Sequence, residues 1–286
     1  MSAAPDSHSI RYFAWLYSIP QERLALQALY GIEREVYESV RPGLDHHIAH
    51  SRLQWWREEC ERAAGGNPVH PLTRELVIAL RGPRMSNGPK GAALPELSAL
   101  VGFVDTATWD LAGATFETRK ELAAYCERWG AAMLQPLLGP ANPATLQGQP
   151  WGRVGSALRE LQMLVDLARD AQSGRLRIPL DELGNAGADP VALAKPPWPE
   201  AVATMLRARQ AALRRDLAEA AGSLGQDQQR AHRGLLVWAA LAWHSSRRAE
   251  QALPSPLQPG RFAAIADTWL AWVAARGATA GRLKLS

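Results

Sequence analysis

The sequence predicts an all-α fold, and three observations support this prediction. Apolar residues recur at three- and four-residue intervals along most of the 286-residue chain, as on the buried face of a helix. No segment alternates apolar and polar residues for long enough to indicate a strand. Glycine and proline pairs such as Pro42-Gly43 and Gly65-Gly66 end the periodic segments. Because 47% of the residues are apolar and 11 are tryptophan, we expect most of the chain to be ordered.

The N-terminal half of the chain is predicted to be a succession of helices after a short loose segment. Residues 1–10 are mostly polar and are predicted to be loose. The first helix is predicted at 21–40, and Pro42-Gly43 stops it. Further helices are predicted at 44–64, 73–80 and 95–111. Two Gly-Pro pairs between 81 and 90 predict a loop before the last of these helices.

The C-terminal half continues the helical pattern. Helices are predicted at 118–138, 152–172, 199–221, 227–251 and 259–276. The stretch 179–197 is rich in glycine, alanine and proline, so it is predicted to be a long connection between two of them. No internal repeat is visible, so a repeat architecture is not expected.

Composition and charge exclude several classes of protein. No run of about eighteen apolar residues indicates a membrane span, and no basic segment followed by an apolar block indicates a secretory signal. Cys60 and Cys126 fit free buried thiols in a reducing cytosol, so a cytoplasmic location is predicted. The net charge of +4 and the pI near 9.3 suit diphosphates, anionic lipid surfaces and nucleic acid alike. No nucleic-acid-binding module is recognisable, so no nucleic-acid partner is predicted.

Two aspartates in the segment 161–183 carry the main chemical signal of the sequence. Asp166 and Asp170 lie four residues apart in a predicted helix, so both carboxylates project from one face. Two like charges at this spacing repel, and a cation such as Mg²⁺, which prefers oxygen ligands, would compensate them. Arg175 and Arg177 follow and suit phosphate oxygens. The alternative, which the spacing alone favours, is a surface acidic pair balanced by its neighbouring arginines.

This segment resembles the second aspartate-rich motif of the squalene/phytoene synthase family, whose usual form is close to NILRDVGEDARRGRIYLP. Asp166 and Asp170 match the metal-binding aspartates of that motif, and Arg175 matches the arginine of its GR pair. Gln162 replaces the motif's asparagine, and Val165 replaces its usual arginine. The resemblance implies that Asp166 and Asp170 bind Mg²⁺ and that Gln162 and Arg175 contact the substrate.

Other segments follow the order of the family along nearly the whole chain. YFAWLYSIPQERLALQALYGIEREV resembles the family's opening, and RLQWWREEC resembles its RLxWWRxEL helix. DLAGATFETRKELAAYCERWG resembles a later segment that contains a Tyr-Cys pair. The resemblance implies a single helical domain of the isoprenoid-synthase type, 11–286, around a central apolar cavity.

The first acidic motif of the family is broken in this chain. In members that condense two prenyl diphosphates, a helix reading close to REIDDIVD faces the second motif and supplies further ligands for Mg²⁺. Here the stretch reads REVYESVR, so Tyr37 and Arg41 replace two aspartates that lie four apart. We expect Arg41 to lie opposite Asp166 and Asp170, which disfavours a metal between them. The predicted Mg²⁺ binding is therefore weak and dependent on diphosphate, with Tyr37, Arg41 and Arg52 available to contact the substrate.

Two functions fit these residues. The first is a divergent, Mg²⁺-dependent prenyltransferase that acts on prenyl diphosphates in isoprenoid biosynthesis. The second is a catalytically inactive family member that binds an isoprenoid lipid or a protein partner. Such a protein is represented by the mitochondrial complex I assembly factor, a respiratory-complex assembly factor that has also lost the first motif. Asp166 and Asp170 favour the first function, and Tyr37 and Arg41 favour the second; peripheral contact with a membrane is compatible with both.

Overall fold

The computed structural model describes residues 5–7, 9–41, 43–82, 92–139, 146, 148–258 and 263–285. Throughout these ranges the chain forms thirteen α-helices and two short 3₁₀ helices, without any strand. The predicted all-α fold is therefore confirmed. A search of the same residues finds no helix whose length and apolar character would let it cross a membrane.

The helices follow the predicted order with small shifts of their ends. They are α1 (Ile10–Tyr17), α2 (Pro20–Glu38), α3 (His46–Ala64), α4 (Pro71–Arg81), α5 (Val101–Leu111), α6 (Arg119–Leu138), α7 (Pro150–Val165), α8 (Leu167–Gln172), α9 (Leu180–Asn185), α10 (Glu200–Gly222), α11 (Gln226–Ala231), α12 (Arg233–Ala252) and α13 (Ala263–Thr279). The 3₁₀ helices span Pro95–Leu100 and Pro190–Ala194. The sequence pattern did not predict α1, whose first residue is the last of the segment predicted to be loose.

Side chains and prolines in the first turns explain where several helices begin. The side-chain oxygen of Ser9 accepts a hydrogen bond from the backbone N–H of Tyr12 (3.1 Å) at the start of α1. Asp45 accepts bonds from the backbone N–H groups of His47 (2.9 Å) and Ile48 (3.2 Å) at the start of α3. These bonds satisfy donors that have no partner within a helix. Prolines, which lack the N–H, occupy the first position of α2, α4 and α7.

Two predicted helices are each divided into two α-helices in the structure, and a third, 95–111, begins as the 3₁₀ helix Pro95–Leu100 before α5. The predicted helix 152–172 is divided at Asp166, whose φ of −87° and ψ of 1° separate α7 from α8. The backbone N–H of Asp170 still donates to the carbonyl oxygen of Asp166 (3.0 Å), so the turn that carries both aspartates is kept. The predicted helix 227–251 is divided at His232, which separates α11 from α12.

The two predicted connections have different outcomes. The connection 179–197 contains α9 and the second 3₁₀ helix, so it is more ordered than its glycine and proline content indicated. The predicted loop 81–90 begins after the last turn of α4, and from residue 83 onward it lies outside the described residues.

A close crossing of α6 and α7 positions the central side chains. Gly130 of α6 faces Gly155 of α7, and a Cβ atom added to Gly130 would lie 2.7 Å from the carbonyl carbon of Gly155. Any larger residue would force the two backbones apart, so these glycines permit the crossing. Trp129 precedes Gly130, and Arg159 lies one turn beyond Gly155. The crossing consequently holds the Arg159 guanidinium 5.3 Å from the centre of the Trp129 ring.

Candidate functional site

A polar pocket of about 380 Å³ lies between α1, α2, α5, α7 and α8. Its walls carry six arginines and four carboxylates, namely Arg11, Arg34, Arg159, Arg169, Arg175, Arg177, Glu33, Asp110, Asp166 and Asp170. An adjoining cavity of about 260 Å³ shares Arg11, Gln162 and Asp166 with this pocket and is otherwise lined mainly by apolar side chains of α1, α7 and α12. We call these two spaces the polar pocket and the apolar cavity.

Five of the seven predicted site residues line the polar pocket, and two do not. The five are Tyr37, Gln162, Asp166, Asp170 and Arg175. Because α2 ends at Glu38, Arg41 lies beyond the helix and is exposed, and the structure does not place it opposite the two aspartates as predicted. Arg52 lies on an exposed face of α3 and lines a separate depression with Trp55 and His70. Neither Arg41 nor Arg52 is therefore positioned to contact a ligand in the polar pocket.

Tyr37 replaces an aspartate of the first motif, and its hydroxyl is bound by a buried arginine. Arg159 Nη2 donates hydrogen bonds to the hydroxyl oxygens of Tyr37 (2.8 Å) and Tyr125 (2.9 Å). The guanidinium also lies over the rings of Tyr37 (5.6 Å), Tyr125 (5.5 Å) and Trp129 (5.3 Å). Burial raises the pKa of Tyr37 well above its ordinary value, although Arg159 opposes the rise. This wall of the pocket thus presents a neutral hydroxyl and a cation.

A second arginine, Arg177, lies over the same Tyr125 ring (5.6 Å) and binds two carboxylates at once. Arg177 donates to both carboxylate oxygens of Asp110, from Nη1 (2.6 Å) and Nη2 (3.1 Å). Its Nε donates to Asp170 (3.0 Å). The side chain of Arg177 is 6% exposed and that of Asp110 is 1% exposed, so the pair is shielded from water. The single charge of Arg177 is thereby shared between Asp110 and Asp170, and Asp170, one of the two predicted metal ligands, has a cation as its partner.

Asp166, the other predicted metal ligand, is paired as well. Arg169, one turn further along α8, lies 2.9 Å from its carboxylate. Burial raises the pKa of Asp166 above its ordinary value, and the cation of Arg169 opposes that rise.

The side chains that line the polar pocket are not suited to hold the metal cluster that the family resemblance implies. Every carboxylate in its walls has an arginine partner, and the first motif supplies Tyr37 in place of an acidic ligand. Over the described ranges, no group of three or more His, Cys, Asp and Glu side chains is arranged to hold a metal ion. The pocket is consequently a set of ion pairs with excess positive charge.

Glu33 forms a third buried ion pair, between the polar pocket and the apolar cavity. Its carboxylate is bound by both terminal nitrogens of Arg11 and accepts a hydrogen bond from Trp129 Nε1 (2.8 Å). The Arg11 guanidinium lies 5.2–5.9 Å from the ring centres of Tyr30, Trp129 and Trp238. Burial of Glu33 would raise its pKa, but the charge and hydrogen bonds of Arg11 outweigh burial, and the pKa lies below its ordinary value.

Acid is expected to destabilise the protein through Glu33. Because its folded-state pKa is lowered, the ion pair stabilises the fold at pH values above the ordinary pKa of 4.5. That stabilisation is lost as the pH falls through the lower, folded-state pKa. Thermal midpoints measured across this acid range should fall less steeply for Glu33→Gln than for the wild type. Glu38→Gln, on an exposed position of the same helix, is the matched control. If the thermal midpoint of Glu33→Gln fell with acid as steeply as that of the wild type, the Glu33 ion pair would not be a source of the acid sensitivity.

Two arginines of the polar pocket remain available to a ligand. The described residues offer no ion-pair partner to Arg34, on α2, or to Arg175, in the loop after α8. Both therefore present unpaired cations to the pocket. An anion with several oxygen atoms matches such a site, because guanidinium groups bind these oxygens through paired hydrogen bonds.

The sequence reasoning missed Arg11, Asp110, Trp129 and Arg159 as site residues. A local signal was present for Arg159. It precedes Gln162 by three residues and Asp166 by seven, which places all three on one face of α7. For Arg11 and Asp110 no local signal existed, because their partners are distant in the sequence.

Comparison with solved structures shows the class of fold. The chain is similar to a dehydrosqualene synthase in complex with a ligand, with a TM-score of 0.75 and 16% identity over 92% of this chain and 89% of that chain. It is also similar to the squalene synthase HpnC from Alicyclobacillus acidocaldarius, with a TM-score of 0.65 and 16% identity over 86% of this chain and 89% of that chain. The fold is therefore the all-α fold of the isoprenoid-synthase type.

Comparison of sequences shows the family. Residues 5–261 match the squalene/phytoene synthase family model, and the chain belongs to this family. A phytoene synthase from Arthrospira platensis is 25% identical over 178 residues, which cover 57% of this chain and 54% of the relative. The bifunctional protein CrtB/UppS from Streptomyces coelicolor is 26% identical over 275 residues, which cover 86% of this chain and 46% of the relative. The chain thus spans about half the length of the curated relatives it matches.

Proposed function

We propose that this protein binds one prenyl diphosphate, or a similar anionic isoprenoid, and does not join two of them. The diphosphate occupies the polar pocket, and the hydrocarbon chain enters the apolar cavity. The observation that carries this proposal is the pairing of Arg177 with both Asp110 and Asp170. The carboxylates that would hold metal ions are neutralised by cations of the protein itself.

The polar pocket supplies positive charge for a diphosphate head. Its six arginines outnumber its four carboxylates, and Arg34 and Arg175 are free to bind. A hydrogen bond to a charged group contributes about 1.5–3 kcal/mol, so two free arginines support measurable affinity. Gln162, which lines both the pocket and the cavity, offers an amide at the junction between the head and the hydrocarbon chain.

The apolar cavity limits the ligand to one chain. Burial contributes about 0.8 kcal/mol per methylene-sized group, so a few isoprene units add substantially to the affinity. Its volume of about 260 Å³ is slightly below the range of typical ligand-binding pockets, about 300 to 1,000 Å³. Two long prenyl chains require far more space than this cavity provides.

Mg²⁺ has a secondary role in this proposal. To coordinate it, Asp166 and Asp170 would have to leave Arg169 and Arg177, which opposes binding to the free protein. Because a bound diphosphate adds oxygen ligands, we expect Mg²⁺ to bind weakly at Asp166 and Asp170, and only when diphosphate is present. Calorimetry that showed tight Mg²⁺ binding to the protein alone would contradict it.

Two functions were predicted from the sequence, a divergent prenyltransferase and a catalytically inactive binding protein. The ion pairs favour the second, with an isoprenoid lipid as its ligand. A divergent prenyltransferase would need electrostatic stabilisation of the departing diphosphate, to which a metal cluster contributes strongly. The assembly-factor role, with its protein partner, and the cytoplasmic location stay predictions.

The test compares arginines inside and outside the polar pocket. Replacing Arg34 and Arg175 together by alanine should weaken the binding of geranylgeranyl diphosphate by at least about tenfold in calorimetry, because two charge-assisted contacts are lost. Replacing Arg41 and Arg52 together by alanine is the matched control, since it removes the same charge from exposed positions outside the pocket. Equal losses in both double variants would mean that net charge, rather than this site, binds the ligand.

The hydrocarbon part of the proposal needs a separate comparison. Geranylgeranyl diphosphate should raise the thermal midpoint more than inorganic diphosphate does, since only the prenyl ligand can fill the apolar cavity. A saturated alkyl phosphate controls for non-specific binding of an apolar hydrocarbon chain. If inorganic diphosphate stabilises the protein as much as the prenyl ligand, the cavity takes no chain.

A further inference from the structure

The outward face of α13 is apolar. Four large side chains lie along it with high exposure, namely Ile265 (68%), Trp269 (62%), Trp272 (39%) and Val273 (45%). Their spacing of four, three and one residues places them on one side of the helix. The opposite side carries small residues that pack on the rest of the protein, namely Ala271, Ala274, Ala275 and Ala278. A surface helix of a globular protein normally exposes its polar side to solvent, whereas α13 exposes its apolar side.

The exposed residues form one patch rather than isolated positions. The ring centres of Trp269 and Trp272 are 5.0 Å apart, and Ile265 and Val273 extend the patch along the helix in both directions. Single exposed apolar residues are common on protein surfaces, but a contiguous patch with two tryptophans marks an interaction site.

Positive charge surrounds the C-terminal end of this patch. Arg276 follows on the same face, and its guanidinium lies 4.9 Å from the centre of the Trp272 ring. A groove of about 460 Å³ beside Trp272 is lined by Arg276 and by Arg233 of α12. Arg282 and Lys284, just beyond the helix, are exposed as well.

Negative charge is absent from the outward face of α13. Asp267, the helix's single acidic residue, lies on the side that packs against α12 and binds Arg248 (2.8 Å). The patch thus combines tryptophan, aliphatic residues and arginine without a carboxylate.

We propose that α13 docks on the surface of an anionic membrane. The indole rings of Trp269 and Trp272 suit the boundary between headgroups and acyl chains, because they are apolar with one polar N–H. Arg276 then lies at the depth of the lipid phosphates, where each basic residue contributes about 1 kcal/mol of attraction to an anionic surface. The alanine side of α13 stays packed on the protein, so the helix lies along the membrane surface.

Vesicle co-sedimentation tests the proposal, with phosphatidylcholine vesicles compared with vesicles that also contain phosphatidylglycerol. The wild type should sediment with the anionic vesicles and far less with the neutral ones. Replacing Trp269 and Trp272 together by serine should reduce binding by at least about tenfold. Arg276→Gln should reduce it by about fivefold on anionic vesicles. Ile78→Ser is the matched control, because Ile78 is a similarly exposed apolar residue on α4 and its replacement should not change vesicle binding.

Three results would overturn the proposal. The wild type could stay in solution with anionic vesicles, or the double tryptophan variant could sediment like the wild type. Alternatively, light scattering could show that the wild type forms dimers which the tryptophan substitutions abolish, without vesicle binding; the patch would then join two copies of the chain. Circular dichroism melts confirm that each variant is folded. None of these measurements depends on the polar pocket, so they are independent of the proposed function.

Discussion

Replacing Arg177 by leucine is expected to lower the free energy of unfolding by about 3–5 kcal/mol. The substitution leaves Asp110, whose side chain is 1% exposed, with its charge buried and uncompensated, and it also removes the partner of Asp170. For a chain of this size the loss corresponds to a fall of roughly 10 °C in the thermal midpoint, which circular dichroism can measure.

Two further variants separate the buried charge from general effects. Arg169→Leu removes a cation that binds Asp166 but is 74% exposed, so it should cost no more than about 1 kcal/mol. Adding Asp110→Asn to Arg177→Leu should recover part of the stability, because the uncompensated carboxylate is the cause of the loss. A change below about 1 kcal/mol in Arg177→Leu would contradict the ion pair that carries the proposed function.

Arg177→Leu should also acquire affinity for divalent metal ions. Without Arg177, the carboxylates of Asp110 and Asp170 become available next to Asp166. A metal that binds only the folded protein stabilises it by about 2.7 kcal/mol at roughly one hundred times its dissociation constant. Mg²⁺ or Mn²⁺ should therefore raise the thermal midpoint of Arg177→Leu and leave that of the wild type nearly unchanged. Equal responses of the two proteins would show that Arg177 does not compete with metal.

Purified protein is expected to form no head-to-head hydrocarbon from geranylgeranyl diphosphate in the presence of Mg²⁺. Each well-placed electrostatic group commonly contributes about 10²–10³-fold to a rate, and here both acidic motifs are altered or neutralised. Turnover should therefore lie at least about 10³-fold below that of a relative such as the Arthrospira platensis phytoene synthase assayed alongside. Mass spectrometry of the extracted lipids and a diphosphate-release assay measure the two products independently.

Restoring one acidic residue is not expected to restore this reaction. In Tyr37→Asp, the new carboxylate would meet Arg159, whose Nη2 lies 2.8 Å from the Tyr37 hydroxyl, and would form another ion pair. Arg41→Asp is the matched control, because Arg41 is exposed and outside the polar pocket. Enzyme-dependent hydrocarbon in the wild type, or its appearance in Tyr37→Asp, would contradict the proposed ligand-binding function.

The fold of this protein is shared with its family, and the proposed function rests on the charges inside that fold. The family shares an all-α fold, and the matching structures extend over about nine-tenths of the chain. Inside that fold, Arg159 donates hydrogen bonds to the hydroxyl groups of Tyr37 and Tyr125, and Arg177 binds the carboxylates of Asp110 and Asp170. Because fold and site chemistry are set by different residues, the proposed ligand-binding function is compatible with the fold of the family.

The sequence alone determined most of the helices, although not α1, and it placed Asp166 and Asp170 one turn apart on the same face. Apolar periodicity and four-residue spacing are local properties, so they can be read without knowledge of how the helices pack. The family resemblance, rather than periodicity, placed Tyr37 opposite the second motif, and Tyr37 does line the polar pocket. It did not place Arg41, because α2 ends at Glu38 and Arg41, beyond that end, is exposed.

Only the tertiary structure decided which charges meet. Arg177 binds Asp110, which lies 67 residues away in the sequence, and Arg159 binds Tyr37, which lies 122 residues away. Arg177 lies in the loop between α8 and α9, whereas Arg159 is positioned by the crossing of α6 and α7, which depends on the contact between Gly130 and Gly155. A sequence shows that charged residues are present, but their electrostatic effect depends on distance and burial, which only packing establishes. The two aspartates that suggested a metal site are, for that physical reason, bound by arginines.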